Sequence, residues 1–482
     1  MLRQLGKDAA IYGSADFLFK LIAFAVFPVY AHVFSVADFG VMALVTVSAA
    51  VLAAVANTGL NNAVQRFYWD PATDEARQPV MVTTGLVLLT ASCVLTVGVA
   101  LTALHPLRGV IHSRYGIEWL IIVLASLTVI SDQLLQYALD TTRLHFAPLK
   151  FALISFLKNL FGAGIGLVLI LAYDAGLAGF FYGGLLGTAL AVLPGLYWIR
   201  KDLVARFDLR LARELIGFGY PFIFAALAFW ALGSLDRWML AELADNVQVG
   251  LYSIAFKFAT VILFLNGAFG QAWSPFAIKV RRDHADYREL FSRILSLWFF
   301  GLTVIGMGLA LFSPELLKLL TPEEYWPAVP ALVICVMSTV LLGTTQVTAL
   351  GISLEGKTRL FAKAAWLTLL ANICLNLALI PPLGAVGAAA ATFVSNGLLA
   401  ALYLRWSQQL HPIPLETRKL LYTLGVAVAV VPLSMGLALA EWGVHILFVK
   451  TLVVALTVAG GMWSGILDNA LIGKVLGLRK WA

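Results

Sequence analysis

A chain of 482 residues that is 61% hydrophobic and only 12% charged has too little polar surface to coat a water-soluble globule of its size. Lipid must solvate most of its surface. The net charge of +7 requires no nucleic-acid partner, because the cations collect beside the ends of apolar segments, where anionic headgroups attract them.

Taken in chain order, about fourteen apolar runs are long enough to carry a helix across roughly 30 Å of hydrocarbon. The first seven are Ala10 to Val33, Phe39 to Asn57, Val80 to Leu104, Trp119 to Leu139, Phe151 to Tyr173, Leu177 to Ile199 and Phe218 to Leu240. The second seven are Val249 to Phe269, Leu290 to Phe312, Ala328 to Leu350, Leu360 to Ile380, Ala385 to Leu404, Leu420 to Leu439 and Val444 to Trp463. The runs are continuously apolar and lack the period-two alternation of barrel strands, so they read as helices. The first run is too long for a signal-peptide core and no small-residue cleavage site follows it, so it is expected to be retained.

Lys and Arg set the expected orientation. With the N-terminus inside, one set of loops holds Arg3, Lys7, Arg77, Arg143, Lys150, Arg200, Lys201 and Arg206 in the first half, and Lys279, Arg281, Arg282, Lys357, Arg418 and Lys419 in the second. The opposite loops hold only Arg108, Arg114 and Lys318. Both termini are therefore expected in the cytoplasm, in a helical membrane such as the bacterial inner membrane.

The chain also repeats itself. FSVADFGVMAL, beginning at Phe34, aligns with ADNVQVGLYSI, beginning at Ala244; NTGLNNAVQRF aligns with NGAFGQAWSPF, and AGLAG with LGAVG, all offset by about 208 to 210 residues. Six helices fit in that offset, so the copies run in the same direction and form two lobes. The expected organisation is an N-terminal six-helix lobe over 1–199, a cytoplasmic amphipathic linker over 200–217, a C-terminal six-helix lobe over 218–404, and two further helices with a tail over 405–482. In the linker, Leu203, Val204, Phe207 and Leu211 interleave with Arg206, Arg210 and Arg213, the pattern of a helix lying in the interface. The tail from Ile466 to Ala482 is a second amphipathic candidate.

Ionisable residues within the hydrocarbon cost about 2.5 to 3.5 kcal/mol each at a helix centre, so they normally face a cavity or a partner. In the first run Asp16 and Lys20 lie one turn apart on one face, either as an internal ion pair or as a pair lining a polar cavity. Asp132 and Lys158 lie at similar depths in the fourth and fifth runs, as a structural pair or an ion-coupling site. Asp236 and Arg237 end the seventh run, where Arg237 either anchors to headgroups or meets substrate. Lys257, in the eighth run, points to a cavity, with Asp236 a candidate partner. Asn57, Asn61 and Gln65 fall at spacings of four, suiting a wet vestibule or ordinary polarity at a helix end.

Several stretches resemble the polysaccharide-exporting branch of the multidrug/oligosaccharidyl-lipid/polysaccharide superfamily, typified by Wzx-type O-antigen flippases. They are KDAAIYGSADFLFKLIAFAVFPVYAHVFSVADFGVMAL at the start, FGYPFIF opening the seventh run, SLDRWMLAELADNVQVGLYSIAFKFA across the seventh and eighth, and AWSPF after them. The resemblance implies two six-helix lobes around a central cavity lined by runs one, two, seven and eight. It also implies a substrate, an undecaprenyl-diphosphate-linked oligosaccharide moved from the cytoplasmic to the periplasmic leaflet, and work beside glycan polymerase or ligase machinery. Lys20, Arg66, Arg237 and Lys257 fall on those four runs or at their ends, and a diphosphate needs such cations. Asp16 and other acids would then carry H⁺ or Na⁺ through an alternating-access cycle.

No GxxxxGK[ST] loop occurs, the seven histidines show no metal spacing, and no nucleophile motif such as GxSxG has a setting here. Cys93, Cys335 and Cys374 sit inside apolar runs and read as small hydrophobes. No enzyme activity, metal or cofactor is expected. Two rival readings stand: an ion-coupled exporter of organic cations from the same superfamily, and a membrane-embedded glycan polymerase or ligase. The first should favour acids over cations in its cavity. The second needs a larger outer loop than this chain carries.

Overall fold

The computed structural model describes residues 25–68, 77–145, 147–283, 286–357, 359–438 and 444–467. These residues are helical with short connections, and no strand occurs among them. Twelve of the described helices are long and apolar enough to cross a membrane. One of the twelve, Arg359–Leu410, comprises two limbs, as the separate eleventh and twelfth runs predict. Most of the first run, with Asp16 and Lys20, lies outside the described residues. So does almost all of the tail proposed as amphipathic.

The chain divides into two compact units, Met1–Leu235 and Asp236–Ala482. In the first, α1 (Val36–Asn57), α2 (Leu60–Tyr68), α3 (Gln78–Leu104), α4 (Trp119–Leu144), α5 (Pro148–Tyr173) and α6 (Gly176–Ile199) precede a short α7 (Leu209–Gly219). α1 opens on a capping box: Ser35 Oγ accepts from the Asp38 N–H at 3.2 Å, and the Asp38 carboxylate accepts from the Ser35 N–H at 3.0 Å. Two orphan donors of the first turn are thereby satisfied.

α1 and α2 are not one helix, although the spacing of Asn57, Asn61 and Gln65 treats them so. Thr58 and Gly59 take φ of 48° and 69°, which turns the chain out of the helical path. The break lets Gly59 meet Gly219 at the end of α7; a Cβ on Gly59 would lie 2.3 Å from the Gly219 carbonyl oxygen. Leu215 joins Ala56, Leu60, Val64 and Leu89 in a buried cluster. The amphipathic segment therefore opens on a short 3-10 turn at Arg200–Asp202 and is α-helical only over Leu209–Gly219, where it packs within the first unit. Asp208 caps it, and the N–H groups of Leu211 and Arg210 hold its carboxyl below the usual carboxylate range.

α8 (Pro221–Leu243) contains the division between the units. In the second unit follow α9 (Asn246–Asp283), α10 (Tyr287–Leu311), a short α11 (Ser313–Leu320), α12 (Val329–Gly343), α13 (Arg359–Leu410), α14 (Thr417–Ala438) and α15 (Val444–Trp463). α12 is buried along almost its whole length, and α9, α10, α13 and α14 pack around it. α13 bends at Gly384, φ 54° and ψ −128°, just after Pro381 and Pro382. The Ala385 N–H freed by the bend donates to Gln248 Oε1 at 2.9 Å. Asp245 caps α9 by accepting from the Gln248 N–H at 2.8 Å, 210 residues after the Ser35 cap. The repeat is thus carried by the same cap in the same register.

Candidate functional site

A buried polar group of the second unit forms where α8 turns back into α9. Asp236 and Arg237 are 6% and 8% exposed. Arg237 reaches Asp236 Oδ1 with its N–H at 2.8 Å and with Nη1 at 3.3 Å. The Tyr252 hydroxyl donates to Asp236 Oδ2 and lies 3.3 Å from Thr392 Oγ1 on α13. The guanidinium stands 5.0 Å from the Phe256 ring centre and 5.4 Å from that of Tyr252, within cation–π range. Asp236 is therefore held by its own neighbour and by a phenol of α9. Lys257, on the same helix, is half-buried. A buried ion pair repays its desolvation only when its remaining hydrogen bonds are made, so the Asp236 carboxylate can change partner only by disturbing Tyr252 and Arg237 together.

In the first unit Lys158 Nζ donates to Asp132 across α5 and α4. The two side chains are 38% and 42% exposed. Nearby, α1 and α2 each send one amide to α4. Asn57 Nδ2 donates to Gln133 Oε1 at 2.6 Å, and Asn61 Nδ2 to Asp140 Oδ2 at 2.8 Å. Gln136 Nε2 at 3.1 Å and Arg143 Nη1 at 3.2 Å complete the shell of Asp140 Oδ1. Asn61 is buried and bound to α4, whereas Gln65 and Arg66 are exposed on α2. The structure thus separates the residues that helical spacing groups as one wet face.

Among the described residues, the buried ionisable groups that escape the sequence reading include Lys450 and Asp140. Lys450, in the middle of the last run, is 1% exposed and donates to Glu315 Oε1 on α11 at 2.5 Å. The criterion that singles out Lys158 applies equally to Lys450, so this signal was present. Asp140 stands one residue past the end assigned to the fourth run, where a carboxylate reads as surface.

A further cluster lies at one end of the second unit, at the ends of membrane-crossing helices, with His411 and Glu355 outside them. His411 follows α13 and is buried; its Nε2 lies 3.0 Å from the Tyr287 hydroxyl and its Nδ1 3.4 Å from Glu355 Oε1. Arg281 reaches the same carboxylate at 3.3 Å. Burial first, then the charges of Arg281 and Arg288, push His411 below its ordinary pKa against the opposing pull of Glu355.

The model of a family described as polysaccharide biosynthesis protein matches residues 29–330. No curated protein sequence matches the chain. Among solved structures, the inward-closed form of the lipid II flippase MurJ superposes with a TM-score of 0.72 at 14% identity, over 94% of this chain and 98% of that one. An inward-facing multidrug resistance MATE transporter of the MOP superfamily gives 0.60 at 12% identity, over 81% and 94%. The MATE transporter VcmN of Vibrio cholerae gives 0.55 at 15%, over 84% and 96%. At these identities the likeness establishes the fold.

Proposed function

Because the chain belongs to the polysaccharide biosynthesis protein family, we propose that it is a flippase for an undecaprenyl-diphosphate-linked oligosaccharide, carrying it from the cytoplasmic to the periplasmic leaflet of the bacterial inner membrane by alternating access. One observation carries the reading: a polysaccharide-family chain with a fold like that of the lipid II flippase MurJ carries a lysine, Lys257, well inside a membrane-crossing helix. Lys257 lies roughly 16 Å along α9 from its start, at 1.5 Å per residue, and Arg237 is buried on α8. A diphosphate crossing a low-dielectric interior needs compensating positive charge, which Arg offers as a fork and Lys as a point charge. Lys20 and Arg66 are proposed to serve the same anion at other stages.

Asp236 is the proposed coupling carboxylate for H⁺ or Na⁺, with Asp16 as a second; the Asp132–Lys158 pair is assigned a structural role. Product would pass to glycan polymerase or ligase machinery. The likeness to MATE transporters supports a second reading, ion-driven export of organic cations. Proteoliposomes discriminate the two. A labelled polyprenyl-diphosphate oligosaccharide is loaded in one leaflet, and its arrival in the other is read with an impermeant reagent. Transfer by wild type, lost in Lys257→Ala, is the expected outcome. Absence of transfer for several glycan lipids, with ion-driven efflux of an organic cation, overturns the flippase reading.

A further inference from the structure

A cavity of about 440 Å³ opens in the second unit, between α10, α12, α13 and α14. Its wall is apolar: Leu295, Phe299, Leu341, Leu404, Leu420 and Leu424. The space exists because α13 presents Gly397, Ala400 and Ala401 where larger side chains would fill it. The hydroxyls that reach the wall make no demand on an occupant. Thr344 Oγ1 donates to the Leu341 carbonyl at 2.7 Å, and Thr348 Oγ1 to the Thr344 carbonyl at 3.2 Å. An occupant therefore needs no polar atoms along its length. At about 30 Å³ for a group the size of water or methylene, the space holds on the order of fifteen methylenes, an alkyl chain's worth.

All four helices are membrane spans by length and composition, so what borders the cavity laterally is lipid. Thr417, Leu421 and Leu424 are both lining and exposed, which puts the opening on the outer side of α14. At the Leu404–Thr417 end, two exposed arginines follow lining residues in the sequence, Arg405 after Leu404 and Arg418 after Thr417. The loop between them is pinned, with the Ile413 N–H on Gln408 Oε1 at 2.8 Å and Gln408 Nε2 on the Ile413 carbonyl at 3.0 Å. The helix segments that bear the two arginines are thus held together at the Leu404–Thr417 end of the cavity. Lys419 at the same end is paired with Glu416 at 2.6 Å, and the argument rests on the two arginines.

We propose that this cavity binds an anionic glycerophospholipid of the leaflet at the basic end of the second unit, one acyl chain between α10, α12, α13 and α14 and its phosphate at Arg405 and Arg418. Guanidinium groups bind phosphate through paired, charge-assisted hydrogen bonds, while the wall contributes apolar burial without selecting a headgroup. Selectivity belongs to the mouth and capacity to the wall, so the two can be removed separately. The site is independent of the translocated substrate.

The test is native mass spectrometry of the full chain in detergent, titrated with palmitoyl-oleoyl phosphatidylglycerol and with the phosphatidylcholine of the same chains. Phosphatidylglycerol should be retained at least about tenfold more tightly, the difference made by a charge-assisted contact. The surface variant Arg405→Gln/Arg418→Gln should reduce it to the phosphatidylcholine level. Gly397→Phe should weaken both lipids; a Cβ there meets only Leu341 Cδ1, at 3.6 Å, so the first atom of the new side chain is accommodated. A diazirine placed on the acyl chain should label the peptides holding Phe299 and Leu424. Equal binding of both lipids with no effect of either variant overturns the proposal, as does labelling elsewhere. Displacement of phosphatidylglycerol by a polyprenyl phosphate whose binding responds to Gly397→Phe but not to the arginine variant also overturns it, and assigns the cavity to a substrate tail.

Discussion

Removing one member of the Lys450–Glu315 pair should damage the second unit far more than removing both. Lys450 is 1% exposed and Glu315 18%, and Nζ to Oε1 is 2.5 Å. The other carboxylate oxygen, Oε2, is buried with no hydrogen-bond partner, so the ammonium is the main compensation for this charge. Breaking a buried pair costs about 3–5 kcal/mol, whereas replacing both members by apolar groups of similar volume is often neutral. The exposures also predict an asymmetry. Glu315→Leu leaves a fully enclosed ammonium and should fall near the upper end of that range. Lys450→Met leaves a carboxylate that water partly reaches, and should fall near or below the lower end. Glu315→Leu/Lys450→Met should return close to wild type. The assay is thermal unfolding in detergent followed by tryptophan fluorescence, run as a double-mutant cycle. Additive losses in the double variant would refute the reasoning, because they would mean that neither charge depends on the other.

Gly59→Ala should lower stability by about 2 kcal/mol or more, since it sets a Cβ on a left-handed residue and against the Gly219 carbonyl; the melting temperature reads it. Asn61→Ala removes a donor from the buried Asp140 carboxylate and should cost about 1–3 kcal/mol, seen in the same assay. His411 holds its proton less readily in the fold than at its ordinary value of 6.5. Its contribution to stability is therefore complete above that value and is lost as pH falls below it, when the unfolded chain takes up a proton that the fold resists. Melting temperature measured from pH 8 down to pH 5 should fall less steeply in His411→Gln than in wild type.

The membrane helices were legible because a run of twenty apolar residues has few other uses; most runs from Val80 onward reappear as helices close to their expected ends, but the eighth run continues to Asp283 and the tenth breaks after Gly343. The break at Thr58–Gly59 was not legible, because Asn57, Asn61 and Gln65 keep perfect helical spacing through it, and the contact the break permits is with Gly219, far along the chain. Charges at depth were legible unevenly: Asp132 and Lys158 as a pair, Asp236 without the partner that holds it, and Lys450 not at all. Asp236 is held by Tyr252, a phenol that no search for opposite charges finds. Lys450 is matched by Glu315, which lies on a short helix outside every run except by its spacing in three dimensions. The Asp132–Lys158 contact was readable because two opposite charges at equal depth on consecutive runs have little else to meet.

The two units share a scaffold but not a chemistry, and the repeat itself shows where they part. Ser35 and Asp245 cap equivalent helices 210 residues apart, and Gly40 and Gly250 occupy equivalent positions behind them. Under the same offset Asp236, Arg237 and Lys257 correspond to Val26, Phe27 and Val47. Caps and glycines fix where a helix begins and how closely it can pack, which both copies need. Buried charges carry a desolvation cost that a structural repeat has no reason to keep twice. The first unit instead spends its polarity on Asn57, Asn61, Gln133 and Asp140, amides and a carboxylate bound between its own helices. Substitutions at Val26, Phe27 and Val47 should therefore alter packing, read as melting temperature, without altering the ion dependence of transport in proteoliposomes.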